Sequence, residues 1–200
     1  MAEAENPDEQ LVSLSKDGNI DAFNSLVLRY ETPVFNLCYR LLGHRQAAED
    51  ATQEAFISAF KSIGRFSGGS FRSWLFRIAA NESKDEIRRR GRKDLAMSLD
   101  GGEGEDDHGI DAPDHSERPD ASVERLELGR FLQDALASLP FDQREAIVLV
   151  DYFDFHYDEV ATALDTSVGT IKSRIHRGRE RLREYIRARP ELFLPYRRLE

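Results

Sequence analysis

What this chain of 200 residues has little of sets the first limits on it. It holds one cysteine, Cys38, so it can form no internal disulfide, and a metal site would have to be built without a second thiolate. Cys38 lies between Leu37 and Tyr39 in an apolar stretch and reads as core filling. No apolar run reaches the roughly 18 to 20 residues that cross a bilayer. The opening Met1–Gln10 stretch is acidic and lacks the basic start and apolar centre of a signal peptide. The expectation is a soluble, cytoplasmic protein that does not insert into a membrane. Strand signals, a tandem repeat and a glycine-rich loop of nucleotide-binding spacing are all missing. No Ser/His/Asp or Cys/His set is placed for catalysis, and the five histidines do not pair at metal-ligand spacing. His44 falls in a turn, His108 and His115 in a polar stretch, and His156 and His176 among basic residues near the end of the chain. These gaps predict a protein that is not an enzyme and has no metal, cofactor or small-molecule substrate.

What is present is helical and segregated by charge. With 40% apolar and 32% charged residues the composition is that of a globular chain. A net charge of −9 argues, on average, against a nucleic-acid partner. The average conceals an acidic stretch from Asp100 to Glu124 and two basic ones, Arg88 to Lys93 and Lys172 to Arg189. From Asp8 to about Arg92 apolar residues recur at helical spacing, broken at Gly18-Asn19, at Gly43 and at Ser67-Gly68-Gly69-Ser70, which predicts four helices. Residues 94–121 carry glycines, Pro113, Pro119 and many carboxylates with few large apolar residues, the composition of a flexible acidic linker. Helical periodicity resumes from Ser122, with a boundary at Leu139-Pro140. The fold class is all-α: two small helical domains, 8–93 and 122–187, joined by the linker 94–121 and followed by a C-terminal tail, 188–200.

The second domain contains a helix-turn-helix pattern. Tyr157 to Leu164 forms a short helix with Tyr157, Val160, Ala161 and Leu164 on one face, and Asp165-Thr166-Ser167 makes a turn. A longer helix follows, with Val168, Ile171, Ile175, Gly178 and Leu182 on one seam. Its other sides carry Lys172, Ser173, Arg174, His176, Arg177 and Arg179, long donors of the kind that reach phosphates and guanine edges in a major groove. Thr170, Lys172 and Ser173, early in that helix, would lie closest to the bases. A solvated arginine-rich surface helix would show the same residues; the small Ala161, the tight polar turn and the long basic helix together favour a DNA-docking unit.

These residues resemble the extracytoplasmic-function sigma factors, small specificity subunits of bacterial RNA polymerase. Leu139-Pro140 through Leu149, Tyr157–Ala161 and Val168–Arg174 look like the family's −35-binding domain. Glu49–Phe56 looks like its polymerase-binding helix, and Phe71–Asn81 like its promoter-melting helix. The resemblance implies that Asp50, Gln53, Glu54 and Ile57 contact core RNA polymerase. It implies that Phe66, Ser67, Gly68, Gly69 and Ser70 border a pocket for a base flipped out of the −10 non-template strand. Arg77, Asn81, Lys84, Asp85, Arg88 and Arg89 would contact −10 DNA, and Thr170, Lys172, Ser173, Arg174, His176 and Arg177 the −35 duplex. An anti-sigma factor is implied as a further partner, and release in response to stress as the regulation.

The residues by themselves leave some choices open. On the polymerase-binding helix Ala51, Ala55 and Ala59 with Phe56, Phe60 and Ile63 can face the core, leaving Asp50, Gln53 and Ile57 outside; the same pattern also fits a solvated edge with Ile57 half buried. On the melting helix Trp74, Leu75, Ile78 and Ala79 can pack inward while Arg77, Asn81, Lys84 and Arg88 make a polar stripe. A stand-alone helix-turn-helix regulator would use the second domain alike but would have no use for the Phe66 loop or Asn81. The chain also departs from the family in having Leu149-Val150-Asp151 and Asp154 where many members carry Leu-Arg-Glu and a glycine.

Overall fold

The computed structural model describes residues 7–99 and 119–189. Met1 to Asn6, the central part of the acidic linker with His108 and His115, and the tail from Pro190 onward lie outside the described residues. The chain divides into two compact units. Every regular element among the described residues is helical.

The first unit has the four helices that its glycine breaks predict: α1 (Pro7–Lys16), α2 (Ile20–Leu42), α3 (Arg45–Ser62) and α4 (Phe71–Leu99). Pro7 opens α1, where its missing N–H costs nothing, and Asp8 and Glu9 complement the helix dipole in the first turn. Gly18, at φ 89°, lets the chain reverse, and Asn19 Oδ1 accepts from Ala22 N at 3.0 Å to cap α2. Leu26, Val34, Leu37, Cys38 and Leu41 of α2 are buried against Leu75, Phe76, Ala79 and Ala80 of α4. α3 contributes Ala47, Ala48, Ala51, Ala55 and Ala59, all fully buried. A face built only of methyl groups is narrow, and the larger side chains of α3 fall outside it. Phe60, which the sequence pattern directs into the core, is 49% exposed and packs edge-on against Phe23 at 5.0 Å, and Phe56 is half-buried.

α4 continues to Leu99, beyond residue 93 where composition suggests the first domain stops. In the second unit α5 (Pro119–Ala137) starts inside the stretch read as linker, with Pro119 as its first residue rather than as a breaker. Then come α6 (Phe141–Ile147), a π-helical turn (Val148–Tyr152), α7 (Tyr157–Ala163) and α8 (Val168–Arg187). α8 packs on α5, α6 and α7. Arg144 closes the end of α5, its Nη2 donating to Ala137 O at 2.8 Å and Leu139 O at 3.1 Å, and burial lowers its pKa. Gly178 lets α8 meet α6: a Cβ there would come within 2.4 Å of Ile147 Cδ1.

Candidate nucleic-acid interface

In the second unit the turn between α7 and α8 is set by local chemistry. Asp165 takes a left-handed conformation, φ 49°, which a short polar side chain tolerates better than most. Ser167 caps α8, its Oγ accepting from Thr170 N at 3.1 Å. Val160, Ala161, Ile171, Ile175 and Gly178 are buried between the helices as the seam requires. Val168, in the first turn of α8, departs from the seam and is 37% exposed; Tyr157, Leu164 and Leu182 are half-buried.

The polar face of α8 is more differentiated than its sequence suggests. Lys172, His176 and Arg177 are exposed. Thr170 and Ser173 are half-buried, and Ser173 Oγ donates to Thr170 O at 2.8 Å. Arg174 is drawn down by Asp142 of α6, Nε to Oδ2 3.2 Å, and His176 Nε2 stands 3.6 Å from Glu180. Arg179 is held by Asp151 and is not simply a projecting cation. Neither carboxylate partner is apparent in the sequence, since Asp142 and Asp151 lie 32 and 28 residues before the arginines they hold.

In the first unit Arg77, Asn81, Lys84, Asp85, Arg88 and Arg89 are exposed along α4. Arg88 Nη1 lies 3.1 Å from Asp85, while Arg89 and Arg90 both reach the buried Glu86, each at 2.8 Å. At the head of α4, Ser70 Oγ accepts from Ser73 N at 3.2 Å and so caps the helix. Ser67, Gly68 and Gly69 are exposed, the glycines at φ 104° and 87°. Phe66 is buried and packs on Phe71 and Trp74. Trp74 is half-buried beside this loop and is not a full core residue. A cavity of about 240 Å³ opens here, lined by Phe66, Gly68, Gly69 and Phe71 on one side and by α1 on the other. On α3, Asp50, Gln53 and Glu54 are exposed and Ile57 is half-buried. Gln53 and Ile57 line a wide apolar groove of about 840 Å³ between α2 and α3, with Phe23, Phe56 and Phe60.

Residues 26–93 match the Sigma-70 region 2 family and residues 132–182 match Sigma-70 region 4. The chain is 39% identical over 165 residues to the ECF RNA polymerase sigma factor SigE of Mycolicibacterium smegmatis. That match covers 82% of this chain and 62% of the relative, so the chain spans less than two thirds of that protein's length. It is 36% identical over 174 residues to the RNA polymerase sigma-H factor of Pseudomonas aeruginosa, covering 86% of this chain and 90% of the relative. The chain belongs to the ECF family of RNA polymerase sigma factors. Its fold is shared with the sigma factor RpoE of Bartonella quintana, solved with the anti-sigma factor NepR, at a TM-score of 0.66 and 29% identity over 84% of this chain and 98% of that one. A sigma factor directs core RNA polymerase to promoters. No helix among the described residues of this sigma factor is long and apolar enough to cross a membrane.

Proposed function

We propose that this sigma factor divides promoter recognition between its two units, residues 8–93 reading melted −10 DNA and residues 122–187 holding the −35 duplex. The observation that carries the reading is the exposed stripe Arg77, Asn81, Lys84 and Arg88 on α4, running from a cavity bordered by Phe66 and Gly68. Such a stripe follows a strand backbone, and the cavity takes a base out of the stack. Extrusion costs a few kcal/mol, and stacking worth about 1 to 3 kcal/mol per base offsets it. Asp85 and Arg89 flank the stripe, and Ser67 and Ser70 border the pocket mouth.

Core polymerase docks on the outer face of α3 through Asp50, Gln53, Glu54 and Ile57, beside the groove that Gln53 and Ile57 line. On α8, Lys172, His176 and Arg177 reach the DNA. Thr170, Ser173 and Arg174, all half-buried, fix the start of the helix and its register on the phosphates. Two weak readers on one chain add their free energies only when the spacing of the elements fits. The protein performs no bond chemistry and acts in the cytoplasm with its polymerase. An anti-sigma factor holds it inactive until a stress signal, a reading supported by its likeness to a sigma factor solved with NepR.

Run-off transcription with core polymerase lacking any other sigma subunit, on a pool of genomic promoter fragments, tests this. Discrete transcripts that depend on the chain, and that Asp50→Arg or Phe66→Ala with Asn81→Ala abolishes, are the expected result. Duplex binding by the chain alone with no transcripts would instead indicate a stand-alone regulator.

A further inference from the structure

The cavity beside the 66–71 loop has two walls, and the family motifs account for one of them. The other is α1. Glu9, Val12, Ser13 and Lys16 line it, at i, i+3, i+4 and i+7 on one face of the helix. Val12 is buried and seats the helix, while Glu9, Ser13 and Lys16 are exposed. Lys16 Nζ stands 5.9 Å from the centroid of the Phe66 ring, across the cavity from the loop.

α1 is fixed in that position. Asp8 accepts from Tyr30 Oη at 2.5 Å and from the Arg29 guanidinium, both on α2. Burial first, and then the bond to Asp8, raises the Tyr30 pKa, so the phenol keeps the proton it donates. Tyr30 in turn meets Phe71 edge-on at 5.6 Å, tying the latch to the head of α4.

Size and charge narrow the occupant. At about 240 Å³ the cavity is smaller than the roughly 300 to 1,000 Å³ of sites for drug-sized ligands and suits a single flat ring system. The Glu9 carboxylate on the α1 wall disfavours a phosphate in the same space, while that of Asp8 is already paired with Arg29. Gly68 and Gly69 leave the mouth open, with nothing within 4 Å of where a Cβ would stand.

We propose that α1 is the specificity wall of this pocket, Ser13 and Lys16 reading the edge of one nucleobase turned out of the non-template strand while Phe66 and Phe71 line its apolar side. The inference rests on the −10 reading above and adds residues from a helix outside the matched sigma regions.

The test uses the full chain bound to core polymerase. The probe is a pool of promoter fragments whose −10 segment is held unpaired and randomised on the non-template strand; retained strands are sequenced. Lys16→Glu exchanges a donor for an acceptor. It and Ser13→Ala should each change base preference at a single position by roughly fivefold or more, the scale of one good base contact. Lys16→Arg should keep the parent preference. Unchanged preference at every position, or a uniform loss of retention without a change in preference, would overturn the role of α1. If the parent itself selects no base anywhere on the unpaired strand, the −10 reading falls and this inference with it.

Discussion

Arg179 and Asp151 form a two-point ion pair, Nη2 to Oδ1 at 2.5 Å and Nε to Oδ2 at 3.1 Å, which ties α8 to the π-helical turn after α6. The hydrogen bond to Asp151 raises the Arg179 pKa above its already high value, so the guanidinium beside that carboxylate stays charged. That carboxylate cancels one positive charge on the basic helix.

Asp151→Asn frees Arg179 for a phosphate. Because both side chains are more than a third exposed, stability should change by less than about 1 kcal/mol. Duplex affinity should rise at low salt, and the salt dependence of binding should steepen by about one unit. DNA titrations at several salt concentrations measure it; an unaltered slope would mean that Arg179 stays clear of the phosphates.

Gly178→Ala should destabilise the second unit by about 1 to 3 kcal/mol, since the new methyl meets Ile147 Cδ1 at 2.4 Å inside a packed seam. Ile147→Val removes the atom that clashes. A double-mutant cycle by urea unfolding should show the pair less destabilised than the sum of the singles, and additive values would place the strain elsewhere.

Asp154 sits at φ 57°, in the left-handed region, just before α7. A residue such as alanine, without a short polar side chain to bond locally, should cost about 1 kcal/mol there. Glycine, free of the Cβ penalty, should come within about 0.5 kcal/mol of the parent. Thermal melts of Asp154→Ala and Asp154→Gly would separate the two, and equal losses would remove the backbone argument.

Burial raises the pKa of the fully buried Cys38, outweighing the opposing influence of the nearby Ser83 and Thr52 hydroxyls. The folded chain therefore keeps this proton to higher pH than the unfolded one. The contribution is complete below the unfolded thiol value, near about pH 8.5, and is lost as pH rises through the folded one. Between about pH 8 and 10, the urea midpoint of the parent should fall more than that of Cys38→Ala. Native Cys38 should also resist a water-soluble aromatic disulfide and react only on unfolding; rapid labelling of the native chain would contradict its burial.

Much of this was legible before any tertiary structure. Gly18, Gly43 and the 67–70 run break the first unit into four helices because nothing but a turn suits those residues there. The alanine face of α3 and the basic stripe of α4 follow from helical periodicity alone. The linker edges were not legible: Pro119 starts a helix as readily as it stops one, and Leu95, Ala96, Met97 and Leu99 at the end of α4 are too few to outweigh the glycines and carboxylates that follow them in sequence. Phe60 was misplaced because periodicity gives a direction around one helix and says nothing of how near the neighbouring helix lies.

The sequence by itself determined that the chain is helical, that its basic residues gather on α4 and α8, and that it carries two sigma motifs in order. These are properties of residues a few positions apart, where the geometry of one helix fixes which side chains share a face. Only the tertiary structure decided which charges are spent within the protein, as Arg179 is on Asp151 and Arg174 on Asp142. It alone brought Lys16 over Phe66 and Asp8 to Tyr30. Such contacts join separate helices, and their partners are set by packing that only the whole core can impose.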